Sequence, residues 1–401
     1  MTMPTAATPD VVVAGHICLD IIPDLKQIKL GGAAAFFTPG KLRNTDAAVL
    51  STGGPVSNTG IALIKLGIAA ALMGKLGEDP FGQIVHTLLR QWNADAGMID
   101  AKGATTSYTI ALSPPGLDRM FLHCPGANDT FAAADVDYDL VAKAKLFHLG
   151  YPPLMQRMYS EGGKQLIEIF KRVKALGVTT SLDMSLPDPD SPGGKADWRS
   201  ILERLVPHVD LFLPSAEEAT FMLNRAKFEQ LRAAAPGADL IPQFTGDDLH
   251  ALSTQLLAIG GKIVAIKCSH RGIYLRTAGK EVLSEIGRAK PGDVSAWAGR
   301  EMWHPAFTIT CPPNATGSGD SAIGGFLAAY LRGHGPSQAL QCGNGAGAWN
   351  VMAPDAVSGI KSWGELIAAL EAGWRTQALE VDGHGWHRGK DGLWHGPSET
   401  N

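Results

Sequence analysis

Apolar runs and amphipathic stretches alternate along most of this 401-residue chain. Residues 11–15 (Val-Val-Val-Ala-Gly) are typical of a buried first strand, and from residue 143 the pattern changes repeatedly between strand and helix. It predicts strands at 145–150, 178–183, 210–213 and 262–267, and helices at 161–176 and 198–206. Because short connections join these elements, we expect a parallel sheet with helices on both faces.

Two segments of the first third have a different pattern. Residues 105–112 alternate in the manner of a strand, Pro114-Pro115-Gly116 predicts a turn, and residues 119–123 return as a second strand. Residues 22–52 mix short apolar pieces with glycine and proline. Both segments therefore favour short strands and loops.

A loop of small residues, Asn314-Ala315-Thr316-Gly317-Ser318-Gly319-Asp320, runs into a predicted helix. Apolar residues at 323, 326, 327, 330 and 331 have the spacing of a half-buried helix. Backbone N–H groups and the positive end of the helix dipole lie at such a start, which suits an anion. Gly317 and Gly319 let the backbone come close, since no Cβ blocks the approach.

Asp320 allows two interpretations. The ordinary one is an N-terminal helix cap. The other is a general base, because a carboxylate beside an anion site can take a proton from a hydroxyl that attacks a phosphoryl group. A dinucleotide fingerprint also matches Gly317, Gly319 and Ala322, but no Asp or Glu follows at about 20 residues and the motif lies late in the chain.

Other polar residues follow predicted strands, at the edge where open α/β sheets bind ligands. Asp20 comes just past the first strand, where a turn residue is the alternative. Asp183 stands at the end of the strand at 178–183. Ser215 and Glu218 follow the strand at 210–213, and their spacing also fits a helix-capping box that needs no metal.

Composition narrows the class of protein. An apolar content of 45% and a charged content of 18% are typical of a soluble globular chain, large enough for one big domain or two. A net charge of −4 without a basic run argues against nucleic-acid binding. Five scattered cysteines without a C-x-x-C pair favour a reducing compartment, and no membrane span or signal peptide is predicted. We therefore expect a cytoplasmic protein.

The loop at 314–320 resembles the A-x-x-G-A-G-D signature of the PfkB, or ribokinase-like, carbohydrate kinases. Thr316, Gly317, Gly319 and Asp320 match, whereas Ser318 stands where alanine is usual. The G-G-x-x-x-N motif of the family matches Gly53, Gly54 and Asn58, which precede or begin a predicted helix; a simple turn is the alternative there. Its early signature matches the run Gly74-x-x-Gly77-Glu78-Asp79-x-x-Gly82.

Three motifs are degraded. Ser215 replaces the Asn of N-x-x-E, and only Gly272 is kept from the nucleotide loop T-L-G-x-x-G. Asn314 replaces an Asp that helps many members to bind a monovalent cation. Because an amide lacks the carboxylate's charge, we expect weak activation by K⁺.

The resemblance implies a three-layer α/β/α core with a small β lid, formed by residues of about 22–52 and 103–125. It implies transfer of a phosphoryl group from ATP with Mg²⁺, with Asp320 as base and an anion hole at Gly317, Ser318 and Gly319. The acceptor would bind at Asp20, Gly53, Gly54 and Asn58, and Asn128 is a further candidate, although a satisfied loop Asn is equally expected. Nucleotide contacts would come from Thr316, Gly272 and Asn344, and Mg²⁺ contacts from Glu218 and Asp183.

The kinase domain is expected at residues 11–375, between a tail at 1–10 and a loosely packed Gly/His/Trp-rich tail at 376–401 in which a metal site is not expected. Residues 343–348 are expected to begin a small-residue helix, and residues 224–247 to form an insertion. The acceptor is expected to be a sugar or polyol. A nucleoside kinase and a non-catalytic sugar-binding regulator remain alternatives, as does a homodimer formed through the lid.

Overall fold

The computed structural model describes residues 8–27, 39–114, 120–311, 316–353 and 355–399. Asn314, much of the predicted turn at 114–116 and the middle of the segment at 22–52 lie outside these residues.

Fifteen strands occur in the described ranges. In chain order they are β1 (Val11–Gly15), β2 (Cys18–Asp24), β3 (Asp46–Gly53), β4 (Ala70–Gly77), β5 (Met98–Ala101), β6 (Tyr108–Leu112), β7 (Met120–Cys124), β8 (Leu146–Gly150), β9 (Thr179–Leu182), β10 (Leu211–Phe212), β11 (Ile263–Lys267), β12 (Ile273–Thr277), β13 (Glu301–His304), β14 (His387–Arg388) and β15 (Trp394–His395).

The α-helices of the same ranges fill the connections. They are α1 (Pro55–Lys65), α2 (Pro80–Arg90), α3 (Tyr138–Val141), α4 (Gln156–Ala175), α5 (Pro192–Lys195), α6 (Trp198–Leu205), α7 (Ala216–Leu223), α8 (Arg225–Ala234), α9 (Gly246–Ala258), α10 (Lys280–Leu283), α11 (Val294–Trp297), α12 (Ser318–Leu331), α13 (Pro336–Val351) and α14 (Trp363–Glu371).

The main sheet has the strand order β14-β15-β13-β12-β11-β10-β9-β8-β1-β4-β5. Seven strands of this sheet, β5, β4, β1, β8, β9, β10 and β11, are parallel to one another. The other four, β12, β13, β15 and β14, are antiparallel to their neighbours. Since parallel strands end at the same edge, residues that follow β8, β9 and β10 in the chain come together there.

The sheet is covered on both faces, as the repeated strand and helix pattern predicts. Val12 and Ala14 of β1 face one apolar cluster, which includes buried residues of α4, α6 and α9. Val11 and Val13 face the other, which includes buried residues of α1, α12 and α13. The strand β1 is fully buried because both of its faces are covered, which is why its sequence lacks polar alternation.

The lid is a separate sheet of four strands with the order β3-β2-β6-β7. It therefore includes β2, which begins at Cys18, before the expected lid segment. This corrects the placement of Asp20, which lies within a lid strand rather than in a turn after β1. The cause is an almost immediate passage of the chain from β1 into β2.

Two other expectations need correction, and residues 224–247, predicted as an insertion, contain the helix α8. The small-residue helix begins at Pro336, before residue 343, because Pro fits the first helical turn. The segment from 376 is packed: Leu393 is buried, β15 pairs with β13, and the Ser398 backbone N–H donates to the buried Glu301 carboxylate at 2.8 Å.

No helix in the described part of the chain is both long enough and apolar enough to cross a membrane.

Candidate active site

Asp320 lies in the first turn of α12, with its carboxylate buried beneath the lid side of the sheet edge. Gly317 precedes the helix with φ 70°, a left-handed conformation that favours glycine. Residues 316–319 therefore form the loop that enters α12, and the backbone N–H groups of the first helical turn lie at the N-terminal end of that helix. The anion hole at this loop remains a prediction.

The Asp320 carboxylate does not cap α12, because no side-chain cap hydrogen bond forms at this helix start. Its Oδ2 instead accepts from Asn58 Nδ2 at 2.9 Å and from the Tyr151 hydroxyl at 3.1 Å. Burial raises the pKa of Asp320, and the two donors and Lys267 oppose that rise. Of the two interpretations of Asp320 from the sequence, the helix-cap interpretation is wrong.

The residues predicted to bind the phosphoryl acceptor, called the acceptor side of the site below, lie around Asp20. A Cβ on Gly53 would lie 2.4 Å from the Asp20 carboxylate, and a Cβ on Gly54 would lie 2.6 Å from the His16 carbonyl oxygen. The glycine pair thus lets β3 and the start of α1 close on these two residues. Burial raises the pKa of Asp20 to about 6.

A series of polar contacts joins Asp20 to the wall of the site. Cys18 Sγ donates to Asp20 Oδ1 at 3.3 Å and lies 3.5 Å from Thr109 Oγ1. The same hydroxyl lies 3.0 Å from His123 Nδ1, and His123 Nε2 lies 3.4 Å from His16 Nε2. Burial lowers the pKa values of both histidines, which favours their neutral forms. This wall therefore offers neutral donors and acceptors for hydroxyl groups.

Asn128 does not belong to this wall. Its Oδ1 accepts from the Ile17 backbone N–H at 3.2 Å, and its Nδ2 donates to the Ile17 carbonyl at 2.9 Å. Both ends of the amide are thus used to hold the connection between β1 and β2. The structure corrects the candidate acceptor contact and favours the alternative, a satisfied loop asparagine.

A cavity of about 350 Å³ opens on the other side of the loop at 316–319. Its wall is largely apolar or glycine-lined and includes four predicted site residues: Ser318, Gly319, Gly272 and Asn344. Gly272 has φ 93°, and a Cβ there would lie 2.0 Å from the His304 carbonyl oxygen. Asn344 Nδ2 donates to that same carbonyl at 3.1 Å.

Thr316 has a structural contact, because its carbonyl oxygen accepts from Asn350 Nδ2 at 2.7 Å. This bond ties the loop to α13, the helix that carries Asn344.

A buried ion pair lies between the cavity and the acceptor side. Lys267 ends β11, and its ammonium group donates to the Asp183 carboxylate and, at 2.7 Å, to the Leu213 carbonyl. Burial raises the pKa of Asp183, and burial likewise raises that of Glu218, while Lys267 opposes both shifts. Lys267 also lines the cavity beside Gly319. One cation thus stands beside two acids.

Glu218 makes the capping box foreseen as its alternative. Its Oε2 accepts from the Ser215 backbone N–H at 2.7 Å, and Ser215 Oγ accepts from the Glu218 N–H at 3.2 Å. Asp183 Oδ2 is buried and has no hydrogen-bond partner among the described residues. Carboxylate oxygens are the ligands that Mg²⁺ prefers, so Asp183 and Glu218 fit a hydrated ion bound mainly through substrate phosphates.

Sequence analysis missed four side chains of the site: Lys267, Tyr151, His16 and His123. Lys267 and Tyr151 end or follow predicted strands, so the rule that led to Asp183 could have found them. His16 also follows the first strand. His123 carried no comparable signal, because only the fold of the lid brings it to His16.

The sequence model of the pfkB family carbohydrate kinases matches residues 8–363. Among curated proteins, the chain is 29% identical over 221 residues to a probable chloroplastic fructokinase-6 of Arabidopsis thaliana, covering 54% of this chain and 53% of that protein. It is 27% identical over 221 residues to fructokinase-2 of Oryza sativa subsp. japonica, covering 54% and 61%. The matches thus span little more than half the length of these relatives.

Solved structures show the same fold. The Arabidopsis thaliana ribokinase complexed with ribose and ATP has a TM-score of 0.65 at 17% identity, covering 91% of this chain and 99% of that one. The fructokinase with bound ATP from Xylella fastidiosa has a TM-score of 0.66 at 16% identity, with the same coverage. The three-layer ribokinase-like core with a β lid is therefore confirmed, and the chain belongs to the pfkB family of carbohydrate kinases.

Proposed function

We propose that this protein transfers the γ-phosphoryl group of ATP to a hydroxyl of a sugar or related polyol. The observation that carries the proposal is the position of the buried Asp320 carboxylate. It stands at the start of α12, whose first residues line the cavity, and it contacts Asn58 and Tyr151. A base in this place joins a nucleotide site to an acceptor site.

The acceptor would bind beneath the lid. When it is ionised, the Asp20 carboxylate can accept a hydrogen bond from a sugar hydroxyl. His16 and His123 provide neutral polar atoms. Gly53 and Gly54 allow the backbone to approach the acceptor closely, and Asn58 ties this side of the pocket to Asp320.

Asp320 would take the proton of the acceptor hydroxyl while the oxygen of that hydroxyl forms a bond to the γ-phosphorus. The bond between the γ-phosphorus and the bridging oxygen, which stays with ADP, would break. Backbone N–H groups at Gly317, Ser318 and Gly319 would stabilise the charge that develops on the transferred group. Lys267 adds a buried positive charge beside Gly319. Asp183 and Glu218 would hold Mg²⁺, which would neutralise part of the charge on the phosphates.

The adenine would occupy the cavity near Gly272 and Asn344, and Thr316 would shape the loop beneath the phosphates. Two solved structures of the same fold contain bound ATP, which supports ATP as the phosphoryl donor. The fructokinase relatives support a sugar as the acceptor.

Exposed apolar side chains on the two edge strands of the lid support a homodimer as a further part of the proposal. Val49, Leu50, Phe121 and Leu122 of β3 and β7 are all exposed, with fractional exposures of 43–55%. Such a set on one small sheet favours burial against a second copy.

A panel of acceptors tests the proposed activity. Purified protein, ATP and Mg²⁺ are incubated with single sugars, polyols and nucleosides, and acceptor-dependent ADP release is followed. We expect release with a sugar or polyol. Release with nucleosides alone would favour a nucleoside kinase, and tight sugar binding without release would favour a regulator.

A further inference from the structure

Tyr151 stands at the edge where the parallel strands end, directly after β8. It has φ 61° and ψ 44°, a left-handed conformation that is uncommon for a residue with a large side chain, and Pro152 follows it. Such backbone strain persists where the surrounding structure fixes it, and it clusters at functional sites. The strained turn directs the phenol across the sheet edge to α12.

The Tyr151 hydroxyl donates to one oxygen of the Asp320 carboxylate. Asn58 donates to the same atom, Oδ2, so that oxygen has donors from β8 and from α1 at 3.1 and 2.9 Å. The other oxygen, Oδ1, is buried and has no hydrogen-bond partner within the described ranges. The two oxygens of the base are thus not equivalent.

We infer that Tyr151 is a positioning residue for the phosphoryl transfer: with Asn58 it fixes Asp320 Oδ2, so that Oδ1 receives the proton of the acceptor hydroxyl. The inference rests on the proposed function, and it adds a role for a residue that no motif identifies. A carboxylate gripped at one oxygen cannot rotate freely, so the free oxygen keeps a constant direction toward the acceptor.

Tyr151 also acts on the ionisation of Asp320. A hydroxyl that donates to a carboxylate stabilises the charged form, so the phenol opposes the effect of burial on the Asp320 pKa. The charged or titratable groups that face this carboxylate from the neighbouring elements are one cation, three acids and a thiol: Lys267 of β11, Asp183 after β9, Glu218 of α7, Asp20 of β2 and Cys18 of β2. The substitution Tyr151→Phe leaves all of them in place.

The test compares Tyr151→Phe with the wild-type protein in the pH dependence of kcat/KM. Loss of the donor should raise the pKa of Asp320, so the acid limb of the profile should move to higher pH by about one unit. We expect kcat to fall about tenfold at neutral pH, with little change in the KM for ATP. A merely structural tyrosine would lower the thermal midpoint and leave the acid limb where it is.

Tyr159→Phe is the matched control. Tyr159 is also partly buried and packs edge-on against Trp198, with ring centroids 6.3 Å apart, but it makes no contact with Asp320 among the described side chains. It should keep the wild-type profile. Incorporation of 3-fluorotyrosine is a second variant that preserves the hydroxyl: a more acidic phenol donates more strongly, so the acid limb should move to lower pH.

A measurement without turnover separates this inference from the proposed function. With ¹³C-labelled aspartate, the carboxyl signal that disappears in Asp320→Asn is assigned to Asp320, and its titration is compared in wild type and Tyr151→Phe. A higher midpoint in the variant supports the inference even if the acceptor panel yields no product. An unchanged midpoint, or an unchanged acid limb in an active enzyme, would overturn it.

Discussion

The two sides of the site are made from different parts of the protein. The cavity proposed for the nucleotide is lined by many small residues, among them Gly272, Gly319 and Gly347, together with larger side chains such as Lys267 and Phe307. The acceptor side is formed by titratable side chains from distant elements, with Asp20 and His123 from the lid and Asp320 from α12. On the acceptor side, burial raises the pKa of Asp20 to about 6 and also raises the pKa of Asp320.

This difference indicates how each side can be altered. The cavity depends on close backbone approach, so added side-chain volume should damage it while changes of pH should not. The acceptor side depends on charge and on hydrogen-bond direction, so changes that preserve volume and remove charge should damage it.

The largest effect is expected for Asp320→Asn. The variant keeps the volume and the amide can still contact Asn58 and Tyr151, but the base is lost. A general base contributes about 10²–10⁴-fold in rate, or about 3–5 kcal/mol of barrier. We expect kcat to fall by that factor with near-native thermal stability. A variant that keeps more than about a tenth of the wild-type kcat would show that Asp320 is not the base.

The second prediction concerns Asp20 and the stability of the protein. Folding raises the pKa of this carboxyl from 3.8 to about 6, so its contribution to stability is present below pH 4 and is lost as the pH rises through 6. The shift corresponds to about 3 kcal/mol at most. Asp20→Asn should therefore be more stable than wild type at pH 8, and the difference should shrink toward pH 4.

Urea unfolding at several pH values measures this difference, with Asp46→Asn on the exposed part of β3 as the control. An equal effect of both substitutions would contradict burial of Asp20.

The acceptor KM of the wild type should also rise below pH 6, because the protonated carboxyl is a weaker acceptor of hydrogen bonds from sugar hydroxyls.

The contrast between the two sides also explains what the sequence could predict. The order of strands and helices follows from local apolar patterns, so it could be predicted, and the glycine-rich loop before α12 is contiguous, so its residues could be identified as a candidate anion hole. The wall beside Asp20 needs His16 and His123 to meet although they are 107 positions apart in the chain, and no local pattern encodes that meeting.

The remaining errors have the same kind of cause. Asn128 was ambiguous because an amide looks identical whether it binds a ligand or the Ile17 backbone. The C-terminal segment was expected to be loosely packed because β14 and β15 have only two residues each, too few for a periodic pattern. Their stability comes from pairing with β13 and from Glu301, which sequence spacing does not reveal.

The third prediction tests the cavity with a matched pair of glycine substitutions. Gly272→Ala places a Cβ 2.0 Å from a backbone oxygen at a positive φ, whereas Gly319→Ala meets only the Lys267 side chain at 3.6 Å. We expect Gly272→Ala to cost about 1–3 kcal/mol of stability and to weaken ATP binding. Gly319→Ala should keep near-native stability. Calorimetric titration with ATP and thermal unfolding distinguish them, and equal effects would contradict the proposed loop geometry.

The smallest effect is expected at Glu218. Glu218→Gln keeps an oxygen that can accept from the Ser215 N–H but removes the charge, so it should raise the Mg²⁺ concentration needed for half-maximal rate. Ser215→Ala breaks the cap and keeps the carboxylate, so it should cost about 1 kcal/mol of stability with an unchanged Mg²⁺ curve. If Glu218→Gln leaves the Mg²⁺ curve unchanged, its role is capping alone.

The central claim is that Asp320 joins an ATP site to a hydroxyl acceptor site. The most direct test follows ³¹P NMR spectra of ATP, Mg²⁺ and the best acceptor from the panel, with wild type and with Asp320→Asn. The claim predicts a new phosphate ester signal on the acceptor with wild type and almost none with the variant. A spectrum in which wild type produces only inorganic phosphate, or in which both proteins form the ester at similar rates, would contradict it.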